Sequence, residues 1–456
     1  MAGGLWQTPP IRVAVVTAVG AAGLTVPALR NGFPLIFPDS MDYIVLTPRL
    51  YRSPFYQLFV FLTGFKQSIW VPVLVQALVA AWVLAIFLAV EVRASLLGSL
   101  MGMALLCLLS SLPVFASFVM PDLFTGVMFV ALYLLVFRWR DLSRWQRAAL
   151  ALVALVAATV HLSHLTMAFA TLVAGTLLLY ARDGRRAPVA GIVASLAVCL
   201  TSAGAVLAYN LAVFGLFSLS PAGSTFFLAN LLATGPAREE LAQLCPDPRY
   251  RLCAYRDRLP ADANAILWED GMVKQLGGFE ALRGESDRLV GETLRDRPAE
   301  VIVFAVGNTV HAVPAINSAD DIVPHRSLAG AVIAQVYGDG TRQRFAQGLQ
   351  MRGTFPQATY NRMTWLGLLL ALPALVLGIV RLGWRRSSFA IFAILAFLGN
   401  AAFCATLSGV HDRYQSRVSW LLPLAALALL SEVSRSSRAP GGGRQLRPAA
   451  TRPEGV

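Results

Sequence analysis

Long apolar segments, separated by short loops that carry arginine, recur along this chain and restrict its fold more than any other feature. Several are long enough to cross a bilayer as a helix, which takes about 20 residues. Helices are expected because they satisfy their own backbone hydrogen bonds in lipid. The segments are 11–29, 69–90, 95–111, 121–137, 146–162, 165–181, 188–213, 363–380, 388–405 and 417–431. The sequence therefore predicts an all-α polytopic membrane protein with about ten transmembrane helices.

The composition excludes an ordinary soluble protein. The 456 residues are 56% hydrophobic and only 14% charged, whereas about a quarter of the residues in soluble domains carry charge. The net charge of +13 would suit a nucleic-acid partner. Much of this charge lies in short loops beside apolar segments, however, as it does in proteins that follow the positive-inside rule. We therefore expect no nucleic-acid partner.

The arginine pattern predicts the orientation of the chain. With ten crossings both termini lie on one side, and five arginine-bearing stretches fall on that same side. They lie at 93, 138–147, 182–186, 381–386 and from 435 onwards. By the positive-inside rule this side is cytoplasmic. We expect a multi-pass protein of the bacterial inner membrane whose first segment is an uncleaved anchor.

This topology divides the chain into four parts. An N-terminal transmembrane module of about seven helices (1–213) includes a first exported loop, 30–68. An exported, mostly helical insert (214–362) precedes a C-terminal module of about three helices (363–431) and a disordered cytoplasmic tail (432–456) rich in Gly, Pro and Arg.

Three features of the insert lead to predictions. The apolar spacing in 279–294 predicts a surface helix that lies on the membrane. The apolar run 301–316 is short for a span, so we favour an interfacial or re-entrant helix over a spanning one. Cys245 and Cys253 bracket a polar run and could form a disulfide in an oxidising compartment.

The stretch "FPDSMDY" places Asp39 and Asp42 directly after the first apolar segment. A carboxylate at a membrane boundary is partly desolvated, so it can have a raised pKa and act as a general base. Helix capping is the alternative, with Asp39 at the N-cap and Asp42 three residues later. The two roles are compatible.

Two further polar groups occupy the same exported side. Asp122 follows a proline at the start of the fourth segment, where it could cap the helix or face the same cavity as Asp39. His161 and His164 are spaced to share one helix face. Two histidines do not make a metal site, so we expect them to contact a substrate or the insert.

The last exported loop, "HDRYQSR", is dense in polar groups that suit phosphate. Arg413 and Arg417 are four residues apart, and two guanidinium groups on one helix face can bind a phosphate or pyrophosphate. Interfacial anchoring by Arg and Tyr is the alternative. We also assign His411 to this substrate-binding group, and Arg49 and Arg52 of the first loop could join it.

These motifs resemble the C-type (GT-C) membrane glycosyltransferases, which include protein O-mannosyltransferases and the aminoarabinose transferase of lipid A. Asp39-Ser40-Met41-Asp42-Tyr43 resembles the Asp-acid-x-x-Tyr pattern of their first exported loop, with Ser40 in place of the second acid. By this resemblance Asp39 is the catalytic aspartate and Tyr43 the motif tyrosine. Asp122 is similar to the acid of the second exported loop, and Arg413-Tyr414 to an Arg-Tyr pair near the last segments.

The resemblance implies a polyprenyl-phosphate-linked sugar donor, inversion at the anomeric carbon, and a glycan, lipid or protein acceptor. Because Ser40 departs from the family pattern, a divalent cation is left open, and the sequence itself offers no metal site. We expect Asp39 as the base, helped by Asp42 and Asp122, with arginines on the leaving phosphate. Two alternatives are an O-antigen polymerase or ligase that uses His311 and Arg326, and a lipid or sugar transporter (flippase).

Overall fold

The computed structural model describes residues 10–438 apart from 65–66, 185–186, 246, 269–270 and 326–327. The described residues form 24 α-helices and no strand. The first twelve are α1 (Pro10–Leu24), α2 (Val26–Asn31), α3 (Ser40–Ile44), α4 (Pro54–Gly64), α5 (Trp70–Val90), α6 (Leu96–Leu108), α7 (Leu112–Ser117), α8 (Leu123–Phe137), α9 (Arg144–Thr159), α10 (Leu162–Asp183), α11 (Val189–Phe214) and α12 (Gly223–Thr234). The others are α13 (Ala237–Leu244), α14 (Ala263–Leu267), α15 (Met272–Gln275), α16 (Gly278–Asp296), α17 (Pro298–Ala312), α18 (Ala329–Tyr337), α19 (Asp339–Gln347), α20 (Leu349–Arg352), α21 (Gln357–Leu382), α22 (Ser388–Leu407), α23 (Asp412–Ser419) and α24 (Leu421–Arg438).

Seven helical stretches in the described part of the chain are long and apolar enough to cross a membrane. They are Pro10–Asn31, Trp70–Val90, Leu162–Asp183, Val189–Phe214, Gln357–Leu382, Ser388–Leu407 and Asp412–Ser437. The helical membrane class predicted from the sequence is thereby supported. The other three expected spans form the shorter helices α6, α8 and α9, of 13, 15 and 16 residues.

Helix α8 lies at the centre of the bundle. All 15 of its residues are buried, and it packs against α5, α9, α10 and α11. A helix that is hydrophobic on every side is stable only when neighbours cover it completely. The two ends of α8 therefore place Asp122 and Arg138 at opposite ends of a packed core.

Residues of the predicted insert 214–362 contribute to two hydrophobic cores. Residues from Ala222 to Val301 share a core of their own, which also takes in Leu50 of the first loop. Residues from Ile316 to Phe355 instead pack into the core of the main helix bundle. The last third of the insert is thus part of the bundle that carries the first loop.

Helix α16 corrects one prediction. The helix forms where the apolar spacing predicts it and ends before Pro298. Its apolar side chains Phe279, Leu282, Leu289 and Val290 are buried in the core of the insert. Because that face is already covered, it cannot lie on a membrane surface.

Two other segments refine the sequence boundaries. Helix α17 has 15 residues and packs against α22, while Ile302, Val303 and Val306 on its other side are exposed. The predicted tail 432–456 is helical as far as Arg438, where α24 ends. Arg435 donates hydrogen bonds to the carbonyl of Val92 and to Ser431. Residues 439–456 lie outside the described residues.

A single parallel bridge joins the first loop to the segment before α8. Leu35 N donates to Ser117 O at 2.9 Å, and Val119 N donates to Leu35 O at 3.0 Å. Asp39 follows Leu35 by four residues, and Asp122 follows Phe118 by four. The bridge therefore holds both acids at one end of the bundle.

Candidate functional site

Asp39 is the centre of a cluster of charged side chains at this end of the bundle. Its Oδ1 accepts a hydrogen bond from Arg52 Nη2 at 2.5 Å, and its Oδ2 accepts from Arg413 Nη1 at 3.4 Å. The side chains of Arg52 and Arg413 are each 11% exposed and that of Asp39 is 18% exposed. These are partly desolvated ion pairs that a ligand can still reach.

Asp42 extends the cluster on the side of the first loop. Its Oδ2 accepts from Arg52 Nε at 3.2 Å, and its Oδ1 lies 3.6 Å from Arg49 Nε. Burial raises the pKa of Asp42 and the charge of Asp39 adds to the rise, while Arg52 and Arg49 lower it. The polar cluster is defined here as Asp39, Asp42, Arg49, Arg52 and Arg413.

The capping predictions for the three aspartates are wrong. Asp39 stands at the N-cap position of α3 and Asp122 at that of α8, yet in the described structure neither side chain caps its helix. Asp42 lies within α3 and pairs with Arg49 and Arg52 instead. All three carboxylates are engaged by arginines: Asp42 by arginines of its own loop, and Asp39 and Asp122 by arginines of α23 as well.

Aromatic rings hold the two central arginines in place. The Arg413 guanidinium lies 4.0 Å from the centre of the Phe37 ring. Arg52 lies 5.2 Å from the Tyr51 ring and 5.3 Å from that of Trp268. Such cation–π contacts are worth about 0.5–1 kcal/mol at exposed sites and more when desolvated. They orient the guanidinium groups before any ligand arrives.

The motif residue Tyr43 points away from the cluster surface. It is 2% exposed, and its ring packs edge-on against Tyr56 with centroids 4.9 Å apart. Burial raises the pKa of Tyr43. The ring therefore supports α3 from beneath and presents no surface to a ligand in this conformation.

Arg417 and Asp122 form a second, fully enclosed ion pair. Arg417 Nη1 lies 3.1 Å from Asp122 Oδ1, and the two side chains are 0% and 1% exposed. Arg417 also donates to Asn400 and contacts Cys404 Sγ. The predicted pair of adjacent phosphate ligands is thus divided, since Arg413 faces the polar cluster and Arg417 faces the core.

The two histidines contact each other, and only His164 lies within a helix. His161 is the N-cap of α10, and its side chain accepts from Ser163 N at 3.2 Å. His164 is buried and lies within hydrogen-bonding distance of Thr125 Oγ1 and Ala157 O. The two rings are stacked with centroids 5.0 Å apart. His164 is therefore committed to internal contacts that join α8, α9 and α10.

His411 and Tyr414 line the approach to Arg413. Their rings meet edge-on with centroids 5.2 Å apart, and Tyr414 lies beside both Arg413 and Arg417. Burial lowers the pKa of His411, and the charge of Arg413 lowers it further. The neutral form of His411 is therefore favoured next to the cation.

An apolar groove of about 280 Å³ runs between α8, α10 and α22. Small side chains open it, among them Ala170, Ala174 and Gly399, and Phe129 and Phe403 form part of its walls. Asn400 also lines the groove and accepts from Arg417. The groove therefore reaches the interior ion pair that lies beneath the polar cluster.

Asp321 and Gln350 are site residues that the sequence analysis missed. Burial raises the pKa of Asp321, which interacts electrostatically with Arg413 and Asp122. Gln350 is buried, and its amide group exchanges hydrogen bonds with both Ile36 N and Ile36 O. The adjacent acids in "SADDIVPH" were a signal for Asp321. No pattern in the sequence indicates Gln350, because its role depends on a partner more than 300 positions away.

The remaining predicted residues lie elsewhere. Cys245 and Cys253 form the predicted disulfide, with Cα atoms 5.6 Å apart. His311 is exposed in the last turn of α17, and Arg326 lies outside the described residues. Within the described ranges, no group of three or more His, Cys, Asp or Glu side chains could hold a metal ion.

No protein-family model, curated protein or solved structure matches this chain significantly. The site must therefore be interpreted from its own chemistry. Two acids that face three arginines at the end of an apolar bundle can bind an anionic group and accept a proton beside it.

Proposed function

We propose that the protein is an inverting membrane glycosyltransferase, which moves a sugar from a polyprenyl-phosphate donor to a hydroxyl group of a glycan, lipid or protein. The observation that carries this proposal is the contact of Asp39 with both Arg52 and Arg413. A carboxylate that can accept a proton lies within hydrogen-bonding distance of two guanidinium groups that can bind phosphate, which supports this reaction. The likeness of "DSMDY" to the GT-C motif supports the same reaction.

The arginines are held by Asp39 in the absence of a donor. The phosphodiester of the donor carries one negative charge, as a carboxylate does, and its oxygens match the planar guanidinium groups; a second charge develops on it as the bond to the sugar breaks. When the donor phosphate enters, Arg52 and Arg413 turn from Asp39 towards it. This exchange releases the Asp39 carboxylate at the moment when the donor is in place.

The released carboxylate then takes the proton from the acceptor hydroxyl. The acceptor oxygen attacks the anomeric carbon, and the bond between that carbon and the phosphate oxygen breaks. The electron pair of the broken bond remains on the polyprenyl phosphate, where Arg52 and Arg413 stabilise the growing charge. Attack opposite the leaving group inverts the anomeric carbon.

Neighbouring groups hold this arrangement in place. Asp42 and Arg49 keep Arg52 oriented. The enclosed pair of Asp122 and Arg417 fixes α23, which carries Arg413, against the start of α8. The apolar groove suits the hydrocarbon chain of the donor, since most of the side chains that line it are apolar and Asn400, which contacts Arg417, is among them.

The proposed topology places the reaction on the exported side of the bacterial inner membrane. About ten crossings leave both termini in the cytoplasm and the 214–362 insert outside. The insert contributes Trp268 to the Arg52 site and Asp321 to that of Arg413. We propose that acceptor binding involves this insert, which covers the cluster.

The test is a transfer assay with the full chain in lipid, supplied with polyprenyl-phosphate sugars and hydroxyl acceptors. We expect Asp39→Asn to lower the rate by roughly 10²- to 10⁴-fold, as for loss of a general base. The control is Asp339→Asn, at an exposed acid of α19 paired with Arg342, and it should transfer at the wild-type rate. Wild-type transfer by Asp39→Asn would refute the base assignment.

A second assay separates transfer from transport. Donor lipid that moves between leaflets without loss of its sugar would show a flippase and not a transferase. Lipid movement is measured by accessibility of the labelled donor from outside the vesicle, and transfer by the label on the acceptor.

A further inference from the structure

An arginine-lined cavity lies at the opposite end of the bundle from the polar cluster. It has a volume of about 220 Å³, far more than the roughly 15 Å³ that one water molecule requires. Its charged lining, among the described residues, is six arginines and two glutamates: Arg93, Arg138, Arg182, Arg385, Arg386, Arg435, Glu91 and Glu432. The cavity therefore carries a clear excess of positive charge.

Part of this charge is balanced within the protein. Arg138 Nε pairs with Glu91 at 2.5 Å, and Arg182 makes two hydrogen bonds to Asp183, at 2.7 and 2.8 Å. Arg435 pairs with Glu432 at 2.5 Å. These pairs fix the walls of the cavity and involve three of its six arginines.

Arg385 and Arg386 lie on the loop between α21 and α22 and contribute to the excess of positive charge. Neither forms an ion pair with any carboxylate in the described part of the chain. Arg385 lies 5.4 Å from the Trp384 ring, and Arg386 donates a long hydrogen bond of 3.5 Å to Ser436. Both side chains are exposed. Two guanidinium groups without a balancing acid border one concave site.

The start of α22 adds donors to the same site. Ser387, Ser388, Phe389 and Ala390 line the cavity, and in the described structure the Ser387 side chain does not cap the helix. The first amide groups of an α-helix have no partner within the helix and favour an anion. The helix terminus and the two arginines point to the same kind of ligand.

Backbone geometry singles out a further residue of the lining. Arg93 has φ of 53°, and among the described residues it is the non-glycine residue with positive φ. A left-handed backbone is unfavourable for an ordinary side chain and persists only where its surroundings enforce it. Arg93 lines the cavity together with Glu91.

From these observations we infer that the arginine-lined cavity binds a phosphate group. The ligand is a phosphate ester or free phosphate, held by Arg385, Arg386 and the N-terminal amides of α22. Ala428, Leu429 and Phe389 form an apolar side of the cavity, so a phosphate attached to an apolar chain is also accommodated. A phospholipid headgroup and a soluble phosphate are two sources of the same chemistry, and the experiment distinguishes them.

Orientation by the positive-inside rule explains why arginines lie at this end. The rule requires only that many arginines lie on this side of the membrane, and not that several of them line one cavity. The matched control uses this difference. Arg385→Gln/Arg386→Gln removes two charges from the cavity, whereas Arg144→Gln/Arg381→Gln removes two from the same end of the bundle at positions that do not line it.

The experiment measures binding of phosphatidic acid to the full chain in phosphatidylcholine nanodiscs by native mass spectrometry. We expect Arg385→Gln/Arg386→Gln to weaken binding by about tenfold or more, as for loss of charge-assisted hydrogen bonds. Arg144→Gln/Arg381→Gln should stay within about twofold of wild type. Arg385→Lys/Arg386→Lys keeps both charges and should recover most of the binding. Recovery would show that weak binding by the glutamine double variant results from the lost charges and not from misfolding.

Inorganic pyrophosphate provides the second arm. If it displaces phosphatidic acid, the cavity accepts soluble phosphate; if it does not, a lipid headgroup is the ligand. Equal weakening by both glutamine variants, or binding of neither probe by wild type, would overturn the inference. No sugar donor is used, so the result is independent of the proposed transferase activity.

Discussion

Asp39 and Arg413 are 374 positions apart in the chain, and their side chains meet with 3.4 Å between Oδ2 and Nη1. Arg52 holds the other carboxylate oxygen. Both oxygens of the acid at the centre of the site are therefore occupied by cations that a phosphate would attract. A ligand that enters this site must compete with the protein's own carboxylate for Arg52 and Arg413.

Arg52→Gln should weaken binding of the phosphate donor more than it slows the chemical step. The substitution removes a cation that contacts both Asp39 and Asp42. Loss of charge-assisted hydrogen bonds to a phosphate costs about 1.5–3 kcal/mol each, or roughly tenfold to a hundredfold in donor affinity. The measurement is KM for the donor together with kcat. Arg342→Gln, at an exposed ion pair on α19, is the matched control, and a fall in kcat alone would contradict the phosphate role.

Filling the apolar groove should block the donor chain without disturbing the fold. Gly399 lines the groove, and a Cβ at this position would meet nothing within 4 Å. Gly399→Phe should therefore fold normally and raise the donor KM by at least about tenfold. Gly204→Phe, at a glycine of α11 with equally open surroundings, should leave KM unchanged. An equal effect of both variants would exclude the groove as the site of the chain.

Removing one member of the enclosed ion pair should destabilise the bundle. Arg417→Gln leaves Asp122 as an uncompensated buried charge, which costs about 3–5 kcal/mol. We expect a clear fall in the thermal unfolding temperature in detergent. The double variant Asp122→Leu/Arg417→Met should be more stable than Arg417→Gln, because no charge is then left buried. If all variants unfold at the wild-type temperature, the pair is not enclosed as described.

The disulfide should stabilise the part of the insert with its own core. Cys245 and Cys253 are eight positions apart, and closing so short a loop contributes about 2.5 kcal/mol in the chain-entropy treatment. Cys245→Ala/Cys253→Ala should unfold the insert at a lower denaturant concentration, detected by limited proteolysis of the insert. A reducing agent should produce the same shift in wild type and none in the variant.

Asp42 should give stability a pH dependence with the opposite sign from an ordinary surface acid. Its folded-state pKa is raised by burial above the ordinary value of 3.8. The contribution of Asp42 to the stability of the fold is therefore fully present below pH 3.8 and is lost as the pH rises through the raised pKa. As the pH rises over that interval, the unfolding temperature of the wild type should fall relative to that of Asp42→Asn.

Asp247 provides the control of opposite sign. Its hydrogen bonds from Arg249 lower its pKa, so its contribution is present above pH 3.8 and is lost as pH falls through the lowered value. On acidification, the unfolding temperature of the wild type should therefore fall relative to that of Asp247→Asn. The same sign in both comparisons would contradict the assigned cause of the Asp42 shift.

Local patterns in the sequence were enough to predict the helical class and several elements. The length of the apolar segments predicted the long helices, and the spacing of the two cysteines predicted the disulfide. Helix α16 was found because its apolar residues recur with helical period. These features depend on residues close together in the chain, where periodicity and composition are informative.

The roles of individual acids could not be predicted in the same way. Asp39 and Asp122 stand at N-cap positions, where the local pattern favours capping. Arg52, Arg413 and Arg417 compete for their carboxylates, and only the folded arrangement shows which interaction forms. Likewise, the spacing of Arg413 and Arg417 could not reveal that one faces the cluster and the other the core.

Gln350 joins the last part of the insert to the first loop through both backbone groups of Ile36, and Ile36 lies three residues before Asp39. The loop that carries the acid and the segment around α20 must therefore move as one body. A substrate that shifts the segment around α20 would shift the position of Asp39 at the same time. The position of the Asp39 carboxylate can in this way depend on contacts that a substrate makes with the segment around α20, away from the reacting atoms.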